Sequence, residues 1–189
     1  VLIHNYKRMQ TLILTDIFGA TSEVEALTEQ LNFPCQVIPP YRQAEKVFDN
    51  ESEAYHYFSN QVGLENYVED VLVAVKSLTK KTRLIGFSMG ASVVWRLSAL
   101  ALPEVTSGVA FYGSQIRHST DIEPSFPLTL VFPKSEEHFS VDDLMGKLKS
   151  KSNVEVFSTP YRHGFMNKLS TGFDVQGYSH YLNALNDWT

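Results

Sequence analysis

The sequence predicts a single α/β domain, residues 1–189, built on a mostly parallel sheet with helices on both faces. Short apolar runs alternate with longer amphipathic segments along the whole chain, a pattern typical of parallel strands joined by helical crossovers. No internal repeat, low-complexity linker or change of composition divides the sequence. A chain of this length is also large enough to bury one good core.

The apolar runs predict six strands that are buried on both faces. The first run, TLILT, is followed by Asp16-Ile17-Phe18-Gly19, and the second stops at Pro39-Pro40. Proline and glycine after each run favour turns at the strand ends. The expected strands are residues 11–15, 35–38, 82–85, 105–112, 128–132 and 154–157.

Helices are expected between these strands. The clearest spans residues 63–78, where apolar side chains recur every three or four positions. Another begins at Thr21 or Ser22, either of which can cap it, and places Val24, Leu27 and Leu31 on one face. Residues 41–60 have no clear period and predict loops with some helix, and Asn50-Glu51-Ser52 matches a glycosylation sequon. The remaining expected helices are residues 91–101, 141–150 and 178–188.

Composition excludes several classes of protein. A net charge of −5 without a basic stripe argues against a nucleic-acid partner. No apolar run approaches 18 residues and no signal sequence is visible, so we expect a cytoplasmic protein without a membrane partner. The single cysteine, Cys35, excludes an internal disulfide framework and a cysteine-based metal cluster. Residues 1–10 are interpreted as a tag or a poorly ordered segment, with Met9 as an alternative native start.

The motif Gly86-Phe87-Ser88-Met89-Gly90 lies between an expected strand and an expected helix. Gly-x-Ser-x-Gly in that context is typical of a nucleophile elbow, a sharp turn that presents the serine hydroxyl above the sheet. The two glycines have no side chain, so the strand and the helix can pack closely at this turn. The helix that follows also directs the positive end of its dipole towards the serine. Ser88 is therefore the candidate nucleophile.

A base and an acid are expected at the same edge of the sheet. His163 follows the last expected strand and precedes Gly164, so it can reach a serine presented by a central strand. In hydrolases with this elbow the acid lies between the serine and the histidine in the chain. The turn after residues 128–132 contains two candidates, of which Glu136 is preferred and Glu137 is the alternative.

An oxyanion hole requires two backbone N–H groups directed at the developing negative charge. Met89 follows the serine and is expected to supply one of them. The other is expected from the loop after the first strand, from Ile17 or Phe18, where Gly19 permits a tight turn.

Together these residues resemble the dienelactone hydrolase family of the α/β-hydrolase fold. The matching pieces are TDIFG at residues 15–19, GFSMGA at 86–91, FYG at 111–113 and RHGF at 162–165, in the family's order. The resemblance implies Ser88 as nucleophile, Glu136 as acid and His163 as base, with Ile17 and Met89 as oxyanion donors.

The sequence departs from the family's best-known members at three positions. They have cysteine where this chain has Ser88, glutamate where it has Asp16, and aspartate where it has Glu136. In the family the first acidic residue contacts the resting nucleophile, so the resemblance implies the same contact for Asp16. A serine nucleophile is more similar to carboxylesterase-like relatives. The expected reaction is therefore hydrolysis of small soluble esters or lactones through an acyl-enzyme. The alternatives are a thioesterase or peptidase on the same scaffold, and a binding protein that has lost catalysis.

About 14 residues separate the strand after the elbow from the next one, too few for a helical lid domain. We therefore expect an open, shallow site. The protein is also expected to need no cofactor or metal and to be a monomer or homodimer. Asp16 is also expected to line the substrate site. The candidate apolar walls are Phe18, Phe87, Tyr112, Phe139 and Phe165, each of which also suits an ordinary core, and the candidate cations for a substrate carboxylate are Arg42, Arg117 and Lys168.

Overall fold

The computed structural model describes residues 9–41 and 46–188, and these form one six-stranded sheet. All five strand pairings are parallel, in the order β2-β1-β3-β4-β5-β6. The strands are β1 (Gln10–Leu14), β2 (Cys35–Ile38), β3 (Thr82–Phe87), β4 (Val105–Phe111), β5 (Leu128–Phe132) and β6 (Val154–Ser158). All six expected strands are therefore present, and the predicted α/β class is confirmed.

Helices cover both faces of the sheet. They are α1 (Ser22–Gln30), α2 (Glu51–Gln61), α3 (Gly63–Lys76), α4 (Met89–Leu97), α5 (Val141–Leu148) and α6 (Val175–Asn186), together with a short 3-10 helix, Ser114–His118. Alternate strand residues enter two cores: Leu12 and Leu14 pack with α3 and α4, whereas Ile13 packs with α1 and α6. Because both faces are covered, the strands are continuous apolar runs.

Several helices differ from the sequence-based expectation, and three of them show why. Helix α2 is regular for 11 residues, since the Asn50 side chain accepts a hydrogen bond from Glu53 N and caps it. Helix α4 ends at Leu97 because the next turns tighten, with Leu100 N donating to Leu97 O. Helix α6 begins at Val175, three residues before the expected start, because Asp174 caps it.

The strand order places the site. The chain runs from β1 outward to β2 and then returns to the other side of β1 as β3. This reversal opens a crevice beyond the carboxyl ends of β1 and β3, where open α/β sheets bind their ligands. Asp16 and Ile17 follow β1, and Ser88 follows β3, so all three lie at this crevice. No helix within the described ranges is long and apolar enough to cross a membrane.

Candidate active site

Ser88 occupies a strained turn between β3 and α4. Its φ of 52° and ψ of −107° are rare for a residue with a side chain. The surrounding structure holds it there, since Ser88 N donates to Phe111 O on the neighbouring strand at 2.9 Å. Strain of this kind, in a residue fixed from both sides, is typical of a nucleophile elbow.

The glycines two positions before and after Ser88 are required by close backbone approaches. A Cβ on Gly90 would lie 2.1 Å from the carbonyl oxygen of Leu14 on β1. A Cβ on Gly86 would lie 2.5 Å from the carbonyl oxygen of Gly90. Both distances are far inside van der Waals contact. The Gly-x-Ser-x-Gly pattern therefore reflects the packing of α4 against the central strands.

The structure brings Ser88, His163 and Glu136 into a continuous hydrogen-bonded chain. Ser88 Oγ lies 2.9 Å from His163 Nε2, and His163 Nδ1 lies 2.7 Å from Glu136 Oε1. The three residues come from loops after β3, β5 and β6. Because these strands are parallel, their carboxyl ends meet at one edge of the sheet.

Glu136, and not Glu137, faces the histidine. The side chain of Glu136 is 15% exposed, whereas Glu137 is an exposed residue at the rim of the same cleft. The loop that carries them is tied to the histidine loop, since Lys134 N donates to Tyr161 O at 2.7 Å. Of the two candidates left open by the sequence, the geometry points to Glu136.

The hydrogen-bonding partners define where the protons lie. A carboxylate can only accept, so His163 Nδ1 carries the proton in its bond to Glu136. In the tautomer with this Nδ1–H, a ring without a second proton leaves Nε2 able to accept a hydrogen bond from the Ser88 hydroxyl. This is the arrangement needed to activate a serine hydroxyl.

The ring of Tyr112 packs against the ring of His163. Its ring centroid is 5.0 Å from that of His163, and its side chain is fully buried although the residue borders the cleft. The backbone is again strained, with φ 44°, and Tyr112 N donates to Val131 O. Burial raises the pKa of the phenol well above its ordinary value, so Tyr112 stays neutral. Its contact with the ring points to a supporting role.

Two backbone N–H groups remain free near Ser88. Among the described residues, neither Ile17 N nor Met89 N donates to a hydrogen bond, whereas Phe18 N donates to Asp16 Oδ1 at 2.9 Å. The sequence left Ile17 and Phe18 as alternatives for the donor after β1. Since Phe18 N is already engaged, Ile17 N is the available donor of the two, and Met89 N at the start of α4 is the second available donor.

Asp16 makes no hydrogen bond to Ser88 within the described part of the chain. Its carboxylate accepts from Phe18 N and, at 2.6 Å, from the side-chain amide of Asn167. The contact with the resting nucleophile that the family resemblance implied is therefore not formed as a hydrogen bond, and Ser88 Oγ is bonded to His163 Nε2 instead. Burial raises the pKa of Asp16, against the lowering effect of these two hydrogen bonds.

An open cleft of about 960 Å³ lies over Ser88 and is bordered by Asp16, Phe18, Tyr112 and Phe139 among others. Phe87 does not border it. Its ring stacks on Phe111 within the core that contacts α1 and α6, which corrects its assignment to substrate binding. The reason is the alternation of side chains along β3, which points residue 87 into the sheet packing. Phe165 is likewise fully buried in that core.

The candidate cations divide into three cases. Arg117 borders the cleft, where its guanidinium lies 5.0 Å from the Phe139 ring centroid and donates to Ser114 O. Lys168 instead pairs with Glu23 at 3.2 Å, outside this cleft. Arg42 lies outside the described residues.

Sequence reasoning missed one wall of the cleft. Glu51, Ser52 and Tyr55, from the first turns of α2, also border it. The available signal was Asn50 followed three residues later by Glu53, which is an N-terminal capping pattern. The cap itself forms, since Asn50 Oδ1 accepts from Glu53 N, and Glu53 Oε2 accepts from Asp49 N, one residue before the cap. The same asparagine also begins the sequon Asn50-Glu51-Ser52.

Within the described ranges, no group of three or more histidine, cysteine, aspartate or glutamate side chains is arranged to hold a metal ion. The segment between β4 and β5 contains the 3-10 helix Ser114–His118 and no helical lid.

Comparison with known proteins places this geometry in a family. The family model described as "Dienelactone hydrolase family" matches residues 5–188. The protein YczH of Bacillus subtilis (strain 168), named as uncharacterized, is 29% identical over 172 residues, covering 86% of this chain and 83% of YczH.

Solved structures agree on the fold. A candidate dienelactone hydrolase of Klebsiella pneumoniae superimposes with a TM-score of 0.76 at 14% identity, over 98% of this chain and 88% of that one. The dienelactone hydrolase-like promiscuous phosphotriesterase P91, from metagenomic libraries, gives 0.67 at 14% identity, over 95% and 84%. With the elbow and the hydrogen-bonded residues already described, the match over nearly the whole chain shows that this protein is a member of the dienelactone hydrolase family with the α/β-hydrolase fold.

Proposed function

We propose that this protein is a serine hydrolase that cleaves small, soluble carboxylic esters or lactones through an acyl-enzyme intermediate. The observation that carries the proposal is the chain of hydrogen bonds from Ser88 Oγ through His163 to Glu136. Membership of a hydrolase family supports it. The choice of serine as nucleophile and the choice of ester as substrate rest on the site itself.

In the first half of the reaction, Ser88 Oγ attacks the carbonyl carbon while its proton passes to His163 Nε2. Glu136 accepts the Nδ1–H bond throughout and stabilises the positively charged ring. The carbonyl oxygen becomes an alkoxide, for which the free N–H groups of Ile17 and Met89 are the available donors. The imidazolium then gives its proton to the leaving alcohol oxygen as the C–O bond breaks.

In the second half, a water molecule attacks the acyl carbon and gives its proton to His163 Nε2. The bond between the acyl carbon and Ser88 Oγ breaks, the serine recovers its proton, and the carboxylic acid leaves. The open cleft admits this water directly, since no helical lid covers Ser88 among the described residues. An open, mixed polar and aromatic cleft suits small soluble substrates better than long acyl chains.

Labelling with a fluorophosphonate probe, followed by peptide mass mapping, tests the activated serine. We expect one modified residue, Ser88, and loss of labelling in His163→Ala, because the unassisted hydroxyl is a weak nucleophile. Heat-denatured protein serves as the control for non-specific reaction. Absence of labelling in the folded protein would instead favour a binding protein on this scaffold.

The relative rates on matched ester, thioester and amide substrates with the same acyl group test the substrate class. The proposal expects the ester to be cleaved faster than the amide by several orders of magnitude, and faster than the thioester. A preference for the thioester would instead indicate a thioesterase, and a preference for the amide a peptidase, each with the same mechanism.

A further inference from the structure

Asp16 and Asn167 form a buried side-chain pair that joins two loops of the site. Asp16 lies two residues after β1, and Asn167 lies four residues after His163. Each is only 7% exposed, and Asn167 Nδ2 donates to Asp16 Oδ2 at 2.6 Å. The bond therefore links the loop that carries Ile17 to the loop that carries His163.

Each member of the pair is fixed from its own side by a backbone bond. Phe18 N donates to Asp16 Oδ1 at 2.9 Å, and Leu169 N donates to Asn167 Oδ1 at 2.9 Å. Asn167 therefore uses its oxygen for its own loop and its amide nitrogen for Asp16, which fixes the orientation of the amide. Buried polar networks in which every member is satisfied are rigid.

On the β1 side, this pair helps to fix the peptide groups on both sides of Ile17. In the peptide after Ile17, the carbonyl oxygen accepts from Tyr41 Oη at 2.6 Å and the N–H, that of Phe18, binds Asp16. In the peptide before Ile17, the Asp16 carbonyl accepts from Gly19 N. The Ile17 N–H is left as the free group of a rigid turn.

On the other side, Asn167 closes the turn that follows the histidine. Asn167 N donates to Gly164 O at 2.9 Å, and Ser170 N donates to Asn167 O at 3.0 Å. A shift of Asn167 would therefore move the backbone next to His163. Since the oxyanion donor and the base must hold fixed positions around one carbonyl group, a displacement of about 1 Å can cost 100-fold in rate.

We propose that Asn167 is a positioning residue which, through its hydrogen bond to Asp16, fixes the Ile17 N–H relative to His163. This proposal rests on the proposed hydrolase function of the same site. The role requires one donor facing one acceptor, and it does not require Asp16 to exchange a proton with substrate or with Ser88.

Exchanging the two side chains tests this requirement. Asn167→Ala removes the donor of the hydrogen bond, and Asp16→Asn places two amide NH2 groups against each other. Each single variant should therefore have a kcat about 10- to 100-fold lower, with KM changed by less than about threefold. The double variant Asp16→Asn/Asn167→Asp restores one donor and one acceptor, and it keeps an acceptor for Phe18 N and for Leu169 N. We expect its kcat to return to within about threefold of the original protein.

Asn153→Ala is the matched control, because Asn153 donates to Pro124 O at 2.7 Å away from the cleft. It should lose stability without losing kcat per folded molecule. Titration of active sites with the fluorophosphonate probe gives the concentration of folded, competent enzyme for each variant. A double variant no faster than the single variants, or an Asn167→Ala variant with more than a third of the original kcat, would overturn the proposal.

Hydrogen exchange of the Phe18 amide, followed by NMR, supplies a measurement that does not depend on turnover. Exchange should accelerate at least tenfold in Asn167→Ala and slow again in the double variant. If the original protein has no esterase activity but these exchange rates follow the pattern, the proposed function fails while the positioning role of Asn167 stands. If the protein is active but Phe18 exchange is the same in all variants, the positioning role fails while the proposed function stands.

Discussion

Replacement of Glu136 by glutamine changes one charge with almost no change of shape. The carboxylate lies 2.7 Å from His163 Nδ1 and is 15% exposed, so it acts at short range in a partly desolvated position. The introduced amide loses the negative charge that stabilises the imidazolium. When its NH2 group faces Nδ1, the ring proton must also move to Nε2, and Ser88 then has no acceptor.

The expected loss of kcat combines these two effects. A hydrogen bond to a charged group is worth about 1 kcal/mol more than a neutral one, which gives a factor of roughly five. A wrong tautomer in a fully buried triad costs about 10⁴-fold. Because Glu136 keeps some contact with solvent, we expect about 10³-fold for Glu136→Gln, equivalent to about 4 kcal/mol of activation free energy.

The assay is steady-state hydrolysis of a small chromogenic ester, with parallel measurement of the rate of fluorophosphonate labelling at Ser88. Glu137→Gln is the matched control, since it removes the same charge one residue away at the exposed rim of the cleft. It should change kcat by less than about twofold, because an exposed charge at that distance is screened.

The reasoning would be refuted if Glu136→Gln kept more than a tenth of the original kcat. It would also be refuted if Glu137→Gln lost as much activity as Glu136→Gln. The second result would show that the loss of activity does not depend on the hydrogen bond between Glu136 and His163.

Two further predictions concern stability and are measured by urea unfolding. Gly90→Ala should destabilise the fold by roughly 3 kcal/mol, because its Cβ would clash with Leu14 O. Gly146→Ala, at an exposed position of α5 with no atom within 4 Å of the added Cβ, should instead stabilise it by about 0.5–1 kcal/mol. Equal effects would contradict the steric account of the elbow. Burial raises the pKa of Asp16, so the folded state binds a proton more tightly than the unfolded one. The stability of the original protein relative to Asp16→Asn should therefore be greatest below the ordinary pKa of 3.8 and fall as pH rises through the higher folded pKa. A relative stability that rises with pH would contradict the sign.

The fold class followed from local patterns that tertiary structure did not override. Apolar runs such as TLILT predict strands covered on both faces, and the three- to four-residue spacing in residues 63–78 predicts α3. Helix α2 was not predicted as a regular element, since its apolar side chains show only a weak period. Its cap at Asn50 was the stronger signal, because capping depends on a few adjacent residues.

The sequence predicted which residue types form the candidate site and in which loops they lie. The strained serine, the later histidine and an acid between them follow from the elbow motif and from parallel topology. Two choices were open in the sequence. Glu136 and Glu137 are the same residue type in the same turn, and only the direction of each side chain separates them. Ile17 and Phe18 are both plausible donors, and the hydrogen bond from Phe18 N to Asp16 separates them.

The amino-acid sequence by itself determined the alternation of strands and helices and the elbow around Ser88, because these depend on periodicity and on glycines within a few positions. Only the tertiary structure decided that Phe87 belongs to the core, that α2 forms a wall of the cleft, and that Asp16 binds Asn167, 151 residues away in the chain. Contacts of that kind depend on how loops from different strands meet at one edge of the sheet. No local pattern encodes such a meeting, because each partner is satisfied by a residue that is distant in sequence.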